Sequence, residues 1–105
     1  MKMMNSEQFE RRKGEKKPFL VEFSAPWCVY CRRIAVPMEK VAVQWAEKLD
    51  IFQVDIDQEP GLAEQERIEV VPTLVVYQGG EVIGSLVAPE SKARIDEFLL
   101  DNLGA

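Results

Sequence analysis

The chain of 105 residues has no histidine and only two cysteines. Without histidine there is no Ser-His or Cys-His catalytic pair and no His-ligated metal. Two cysteines by themselves cannot complete a tetrahedral zinc site. Long apolar runs are missing too. Met1 to Gly14 is polar and charged, without the apolar stretch of a signal peptide, and no later segment reaches membrane-span length. The expectation is a cytoplasmic protein. Positive charge is in deficit, with 13 Lys and Arg against 18 Asp and Glu and a net charge of -5. That balance argues against nucleic acid or an anionic membrane as partner. No repeat, linker or low-complexity segment divides the chain, so a single domain over residues 1–105, acting as a monomer, is expected.

What is present is an ordinary globular composition, 47% hydrophobic and 30% charged. Asn5, with Gln8 three residues on, predicts a capped short helix through about Lys13, anchored by Phe9 and stopped by Gly14. Phe19-Leu20-Val21-Glu22-Phe23 reads as a strand buried on both faces. After the turn Ser24-Ala25-Pro26-Trp27, the spacing of Ile34, Met38, Val41, Ala42, Trp45 and Leu49 predicts one long helix from about Cys28 to Leu49, kinked by Pro37. A second strand is expected over Ile51 to Ile56 and a short helix over Leu62 to Arg67. Thr73 to Tyr77 and Glu81 to Val87 form a hairpin through Gly79-Gly80. Ser91 caps a last helix that buries Ile95, Phe98, Leu99 and Leu103. Strands joined through helices run parallel, and the hairpin is antiparallel. The pattern therefore predicts an α/β fold: a mixed central sheet of four strands flanked by helices on both faces. A fifth strand from the short segment Met1 to Met4 is left open.

The chemistry concentrates at Cys28-Val29-Tyr30-Cys31, which follows a buried strand and opens a helix. Residues three apart share a helix face, so the two sulfurs can meet in a disulfide. A helix start presents unpaired N–H groups that favour a thiolate at Cys28. Cys31 is expected deeper and less exposed. Cys28 would attack and Cys31 would resolve the mixed disulfide. The alternative is a pair of unrelated core cysteines, since free cysteine is often buried. A reducing cytosol disfavours a structural disulfide, and the strand-to-helix placement favours redox use.

Val21 to Cys31 resembles the active-site segment of thioredoxins and protein disulfide isomerases. Val54 to Gly61, Val71-Pro72-Thr73-Leu74, Gly79-Gly80-Glu81-Val82 and the terminal helix continue the likeness in order. It covers the chain from about Pro18 to the end and implies the thioredoxin-like fold. The resemblance implies a nucleophile at Cys28, a resolving cysteine at Cys31, and a redox-active disulfide between them. It also implies a tryptophan beside the site at Trp27 and a cis-proline at Pro72 packed against the disulfide. Val71 would pair its backbone with an extended substrate strand. Glu22 would be the buried acid behind Cys31. Between Val21 and Phe23 its carboxyl is expected to be desolvated, with its pKa raised.

The sequence departs from the thioredoxin pattern at several positions. Val29-Tyr30 replaces the usual Gly-Pro between the cysteines and retunes the redox poise. Ser24 stands where a second tryptophan is common, and Gln53 where a lysine often partners the buried acid. Pro26 and Glu22 look more like disulfide isomerases. Pro37 falls one residue late, and Ala88 replaces a common glycine. The expected function is an enzyme, a protein-disulfide oxidoreductase with no cofactor of its own. Its substrates would be protein disulfides, and its electrons would come from a thioredoxin-reductase-like flavoenzyme or a small thiol. Alternatives are a cytoplasmic oxidase or isomerase, or a thioredoxin-fold binding module or soft-metal carrier.

Overall fold

Phe19-Leu20-Val21-Glu22-Phe23 is apolar at every position but one, and such a run needs cover on both faces. In the computed structural model, which describes residues 1–104, it forms strand β2 (Phe19–Ser24), with all six residues buried. It lies third in a five-stranded sheet with β1 (Lys2–Met3), β3 (Asp50–Asp55), β4 (Thr73–Gln78) and β5 (Glu81–Val87). The spatial order is β1-β3-β2-β4-β5; β1, β3 and β2 are parallel, and β4 and β5 run antiparallel. The fifth strand that the sequence left open is therefore present. Lys2–Met3 is too short to show a period of its own. Its pairing with Phe52 and Gln53 on β3, extended by Met4 N–H to Gln53 O at 2.8 Å, makes it a strand.

Period two along β2 divides the core. Leu20 packs with Met38, Val41, Leu74, Val76, Ile95 and Leu99 on one face. Phe19, Val21 and Phe23 pack with Phe9, Val54, Leu62 and Tyr77 on the other. Helices α3 (Ala35–Gln44) and α5 (Lys92–Leu103) cover the first face, and α1 (Ser6–Lys13) and α4 (Pro60–Gln65) the second. Glu22 shares Leu20's face by the same alternation. On the second face Tyr77 stacks on Phe19 at 5.0 Å and meets Phe9 edge-on at 5.1 Å. Its hydroxyl donates to Glu66 Oε1 at 2.7 Å. Burial, then the Glu66 carboxylate, raises the Tyr77 pKa far above the usual phenol range. Arg12 is buried as well. It donates to Asp50 Oδ2 at 2.8 Å and Lys17 O at 3.0 Å, and lies 4.9 Å over the Phe19 ring. Burial alone would raise Asp50; the Arg12 and Lys17 contacts outweigh it and hold that carboxyl below its ordinary value.

The helix signals hold at the termini. Asn5 Oδ1 accepts from Gln8 N–H at 2.8 Å, and Gln8 Oε1 accepts from Asn5 N–H at 2.9 Å, a reciprocal capping box. Gly79 and Gly80 have φ of 60° and 85°, the positive values a two-residue hairpin of this kind needs. The long helix expected over Cys28 to Leu49 is instead two helices, α2 (Val29–Arg33) and α3, separated at Ile34 (φ -92°, ψ 1°). Pro37 is the physical cause: it has no N–H to give Arg33 O, and its ring crowds that carbonyl. The end is also earlier than expected, at Gln44. A turn closed by Leu49 N–H to Trp45 O at 2.9 Å then delivers Asp50 to its place beside Phe19.

Candidate active site

The site forms where β2 ends and α2 begins. Cys28 is the N-cap of α2, with extended backbone (φ -85°, ψ 107°), and its Sγ accepts the Cys31 N–H at 3.1 Å. Cys31, three residues on, faces the same way. Ala25 joins the two cysteines in a small apolar cluster, with Ile56 and Val71 packed against it. Cys28 Sγ also lies 3.7 Å from Val71 O, to which the thiol donates. The Val71–Pro72 peptide is cis, and Pro72 O accepts Ala88 N–H at 2.8 Å. Cys28, Cys31, Val71 and Pro72 thus meet at one place, although about 40 residues of chain separate the two pairs.

The expected difference in exposure between the cysteines is not found: each is 6% exposed. Their electrostatics separate them instead. The Cys31 thiol is pushed up to about 12 by burial first, then by its hydrogen-bonding to Cys28; the charges of Cys28 and Glu22 add to the rise. Glu22 is fully buried, and among the described residues neither carboxyl oxygen has a hydrogen-bond partner. Burial raises its pKa to about 7; Glu39 adds to the rise, and the amino group of Met1 opposes it.

Gln53 sits on the same sheet rung as Glu22, but its amide donates to Ser24 Oγ at 2.9 Å rather than to the acid. Glu39 was not visible as a site residue in the sequence. It bonds the Met1 nitrogen at 2.7 Å, a contact across 38 residues with no local signature. Asp57 was missed for the same reason. Trp27 is 63% exposed, and its Nε1 donates to Asp57 Oδ2 at 3.0 Å, which fixes the indole over the start of the site. Asp57 N–H in turn donates to Asp55 Oδ1 at 2.8 Å. Asp55, two residues before that turn N–H, is a readable turn signal, but nothing local pointed Asp57 at Trp27. Among the described residues, no group of three His, Cys, Asp or Glu is placed to hold a metal, and no helix is long and apolar enough to cross a membrane.

The arrangement is that of a dithiol poised for exchange: two adjacent sulfurs, a donor to one of them, and a desolvated acid acting on the other. Comparison with known proteins agrees. The family model described as Thioredoxin matches residues 1–101. A thioredoxin of Streptomyces clavuligerus is 40% identical over 80 residues, covering 76% of this chain and 74% of that one. A bifunctional thioredoxin reductase/thioredoxin of Mycobacterium leprae is 32% identical over 88 residues, covering 84% of this chain and 19% of that protein. The solved thioredoxin of Plasmodium falciparum superposes with a TM-score of 0.88 at 25% identity, over 96% of this chain and 98% of that chain. With a matching sheet, a dithiol at the helix start and relatives of this kind, the chain belongs to the thioredoxin family and is a thiol–disulfide oxidoreductase.

Proposed function

We propose that the chain is a single-domain, cytoplasmic, monomeric reductant of protein disulfides, with Cys28 as nucleophile and Cys31 as resolving thiol. The observation that carries the assignment of roles is the Cys31 N–H donated to Cys28 Sγ. A donor aimed at a sulfur favours negative charge there, and the thiolate is the attacking species. Cys28 attacks a substrate disulfide, one substrate sulfur leaves as thiolate, and a mixed disulfide forms. Cys31 then gives its proton to Glu22 and attacks Cys28 Sγ, which releases the second substrate thiol. Glu22, at about 7, is a proton acceptor matched to neutral pH. The Val71 backbone pairs with the extended substrate chain, Pro72 shapes the floor beneath it, and Trp27 borders it. Electrons come from a thioredoxin-reductase-like flavoenzyme or a small thiol. The Mycobacterium leprae relative, named for both a reductase and a thioredoxin, supports the first source. A radius of gyration of 12.5 Å, near the roughly 13 Å of a 100-residue domain, supports the single domain.

Cys28→Ser is expected to abolish turnover of a protein disulfide. Cys31→Ser is expected to accumulate a stable mixed disulfide, detectable by mass. Alkylation of the reduced protein should label Cys28 before Cys31. Faster labelling of Cys31 would reverse the two roles.

A further inference from the structure

The sheet face under α1 and α4 is covered over β2, β3 and β4 but left open over β5. The register sets Val87 beside Thr73, Ser85 beside Val75 and Val82 beside Tyr77, and the bulge at Val76/Tyr77 leaves Ile83 as the extra residue of β5. Val82, Ser85 and Val87 therefore share the face of Tyr77. All three are exposed, and among the described residues no β5 side chain joins the core on that face. The segment from Glu66 to Val70 stands beside this row as a wall, and the two enclose a trough of about 270 Å³. The wall is tied to β4 at both ends: Tyr77 OH donates to Glu66 Oε1, and Thr73 Oγ1 donates to Val70 O. The trough is thus preformed, and a chain that enters it meets no cost of ordering its walls.

Its floor is apolar and its near end adjoins the dithiol. Val70, Val82 and Val87 are each roughly half exposed; single exposed valines are ordinary, but these three line one groove. On the rim, Arg67 and Glu69 are exposed and, among the described residues, belong to no ion pair. Opposite charges so close together favour neither an acidic nor a basic chain. Val70 precedes Val71, whose carbonyl meets Cys28 Sγ at 3.7 Å. Val87 precedes Ala88, whose N–H is bonded to Pro72 O. From Val87 to Val82 the floor follows β4 from Thr73 to Tyr77, about 13 Å at the rise of a strand. An extended chain of about four residues spans that length, with every second side chain on the floor.

We propose that this trough receives the extended chain flanking a substrate's disulfide, which makes unfolded segments rich in β-branched apolar residues the preferred substrates. This rests on, and deepens, the reading above of a substrate strand at Val71. A folded protein buries such a segment in its own core, so the trough selects disulfides in chains that lack their fold. The reaction is the exchange already described. The dithiol becomes a disulfide, the substrate disulfide becomes two thiols, and two electrons and two protons pass from the first to the second. The trough contributes binding along the flanking chain and leaves the chemistry at sulfur unchanged.

The experiment uses two symmetric peptide disulfides, in which the cysteine of a short peptide is flanked on both sides by valine at alternate positions, or by serine in place of each valine. Bis(2-hydroxyethyl) disulfide, which has no flanking chain, is the third substrate. The unaltered protein is expected to reduce the valine disulfide with a kcat/KM about tenfold above the serine one, as for partial burial of two valines. Val82→Asp is expected to bring that ratio below about twofold, and Val82→Thr, which keeps the strand's shape, to about threefold. Both are expected to change the rate on bis(2-hydroxyethyl) disulfide by less than about twofold, since that substrate does not reach the trough. Val43→Asp, at an exposed valine of α3, is expected to leave the ratio at its full value. If Val82→Asp fails to fold, Val82→Thr decides. A ratio near one for the unaltered protein, a ratio that the Val82 variants leave intact, or an equal loss on all three substrates overturns the proposal. Dimers in sedimentation that Val82→Asp abolishes would assign the trough to a second copy and overturn it as well. Failure to reduce any of the three substrates would refute the parent reading. The trough is then decided by an NMR titration of the reduced protein with the valine peptide carrying serine for its cysteine. Shifts of the Val70, Val82 and Val87 amides support the proposal, and their absence overturns it.

Discussion

Glu22 is a carboxylic acid in surroundings that disfavour its charged form. Its folded pKa of about 7 stands above its ordinary value of 4.5. Between those values the native state holds more protons than the unfolded chain, so stability falls as pH rises through that window. Above it the full penalty is in place, on the order of 3 kcal/mol. Glu22→Leu is expected to gain stability over the parent as pH rises from 4 to 8, and, under the mechanism proposed above, to slow disulfide exchange. Urea denaturation at several pH values, paired with exchange kinetics, checks both. A variant that is no more stable at pH 8 and equally fast would leave Glu22 a purely structural role. Ala88 is a second residue at odds with its backbone. Its φ of 45° lies in the left-handed region, which costs an L-residue about 1–2 kcal/mol. Ala88→Gly is expected to stabilise the protein by about 0.5–1 kcal/mol, after the extra freedom glycine has when unfolded. Thermal denaturation reads this directly, and a lower midpoint would show that the strain is absorbed elsewhere. The closeness of Cys28 and Cys31 was legible in the sequence because they stand three residues apart at a helix start, and the burial of Glu22 because it stands between Val21 and Phe23 in an apolar strand. Asp57 and the Gln53–Ser24 pair were not, since each joins the site only through a contact that spans about 30 residues, and Glu39 was not, since it acts there only through its charge on Glu22.

At the scale of elements, local signals succeeded where one short segment decides the outcome. The α1 cap, the hairpin glycines and the Ser91 cap, whose Oγ accepts Arg94 N–H at 3.1 Å, all formed as their residues dictate. Asn5→Ala is expected to cost about 1 kcal/mol, because the Gln8 N–H loses its acceptor. Adding Gln8→Ala should cost less than the sum of the single changes, since the two side chains share one motif. Chemical denaturation of the three variants tests this, and full additivity would argue that the box does not act as a unit. Signals failed where two elements compete for the same chain. The apolar stripe from Ile34 to Leu49 is continuous enough for one helix. Pro37, within α3, forces the break one turn ahead of it at Ile34, and the pairing of Asp50 with Phe19 pulls the other end out of helical geometry. Likewise β1 exists because β3 offers it an edge, and two residues carry no periodicity of their own.

Over the whole molecule, the two faces of the sheet do different work. The face under α3 and α5 holds Glu22, and its energetics respond near neutral pH. The face under α1 and α4 is aromatic, and its ionisable group responds only in alkali. Tyr77 is packed between Phe9 and Phe19 and donates to Glu66, and burial, then the Glu66 carboxylate, holds its phenol pKa well above the ordinary value while the fold stands. Once unfolded it ionises at about 10, as an ordinary phenol does. Above that pH the native state binds one more proton than the unfolded chain, so stability falls by about 1.4 kcal/mol for each further pH unit. The ultraviolet band of tyrosinate contributed by Tyr77 should therefore rise together with the loss of helical circular dichroism in an alkaline titration, and should be missing from Tyr77→Phe. Appearance of that band while the dichroism is intact would show a phenol that ionises in place. Buried as it is, this one hydroxyl serves as an optical record of global unfolding, readable without any added dye.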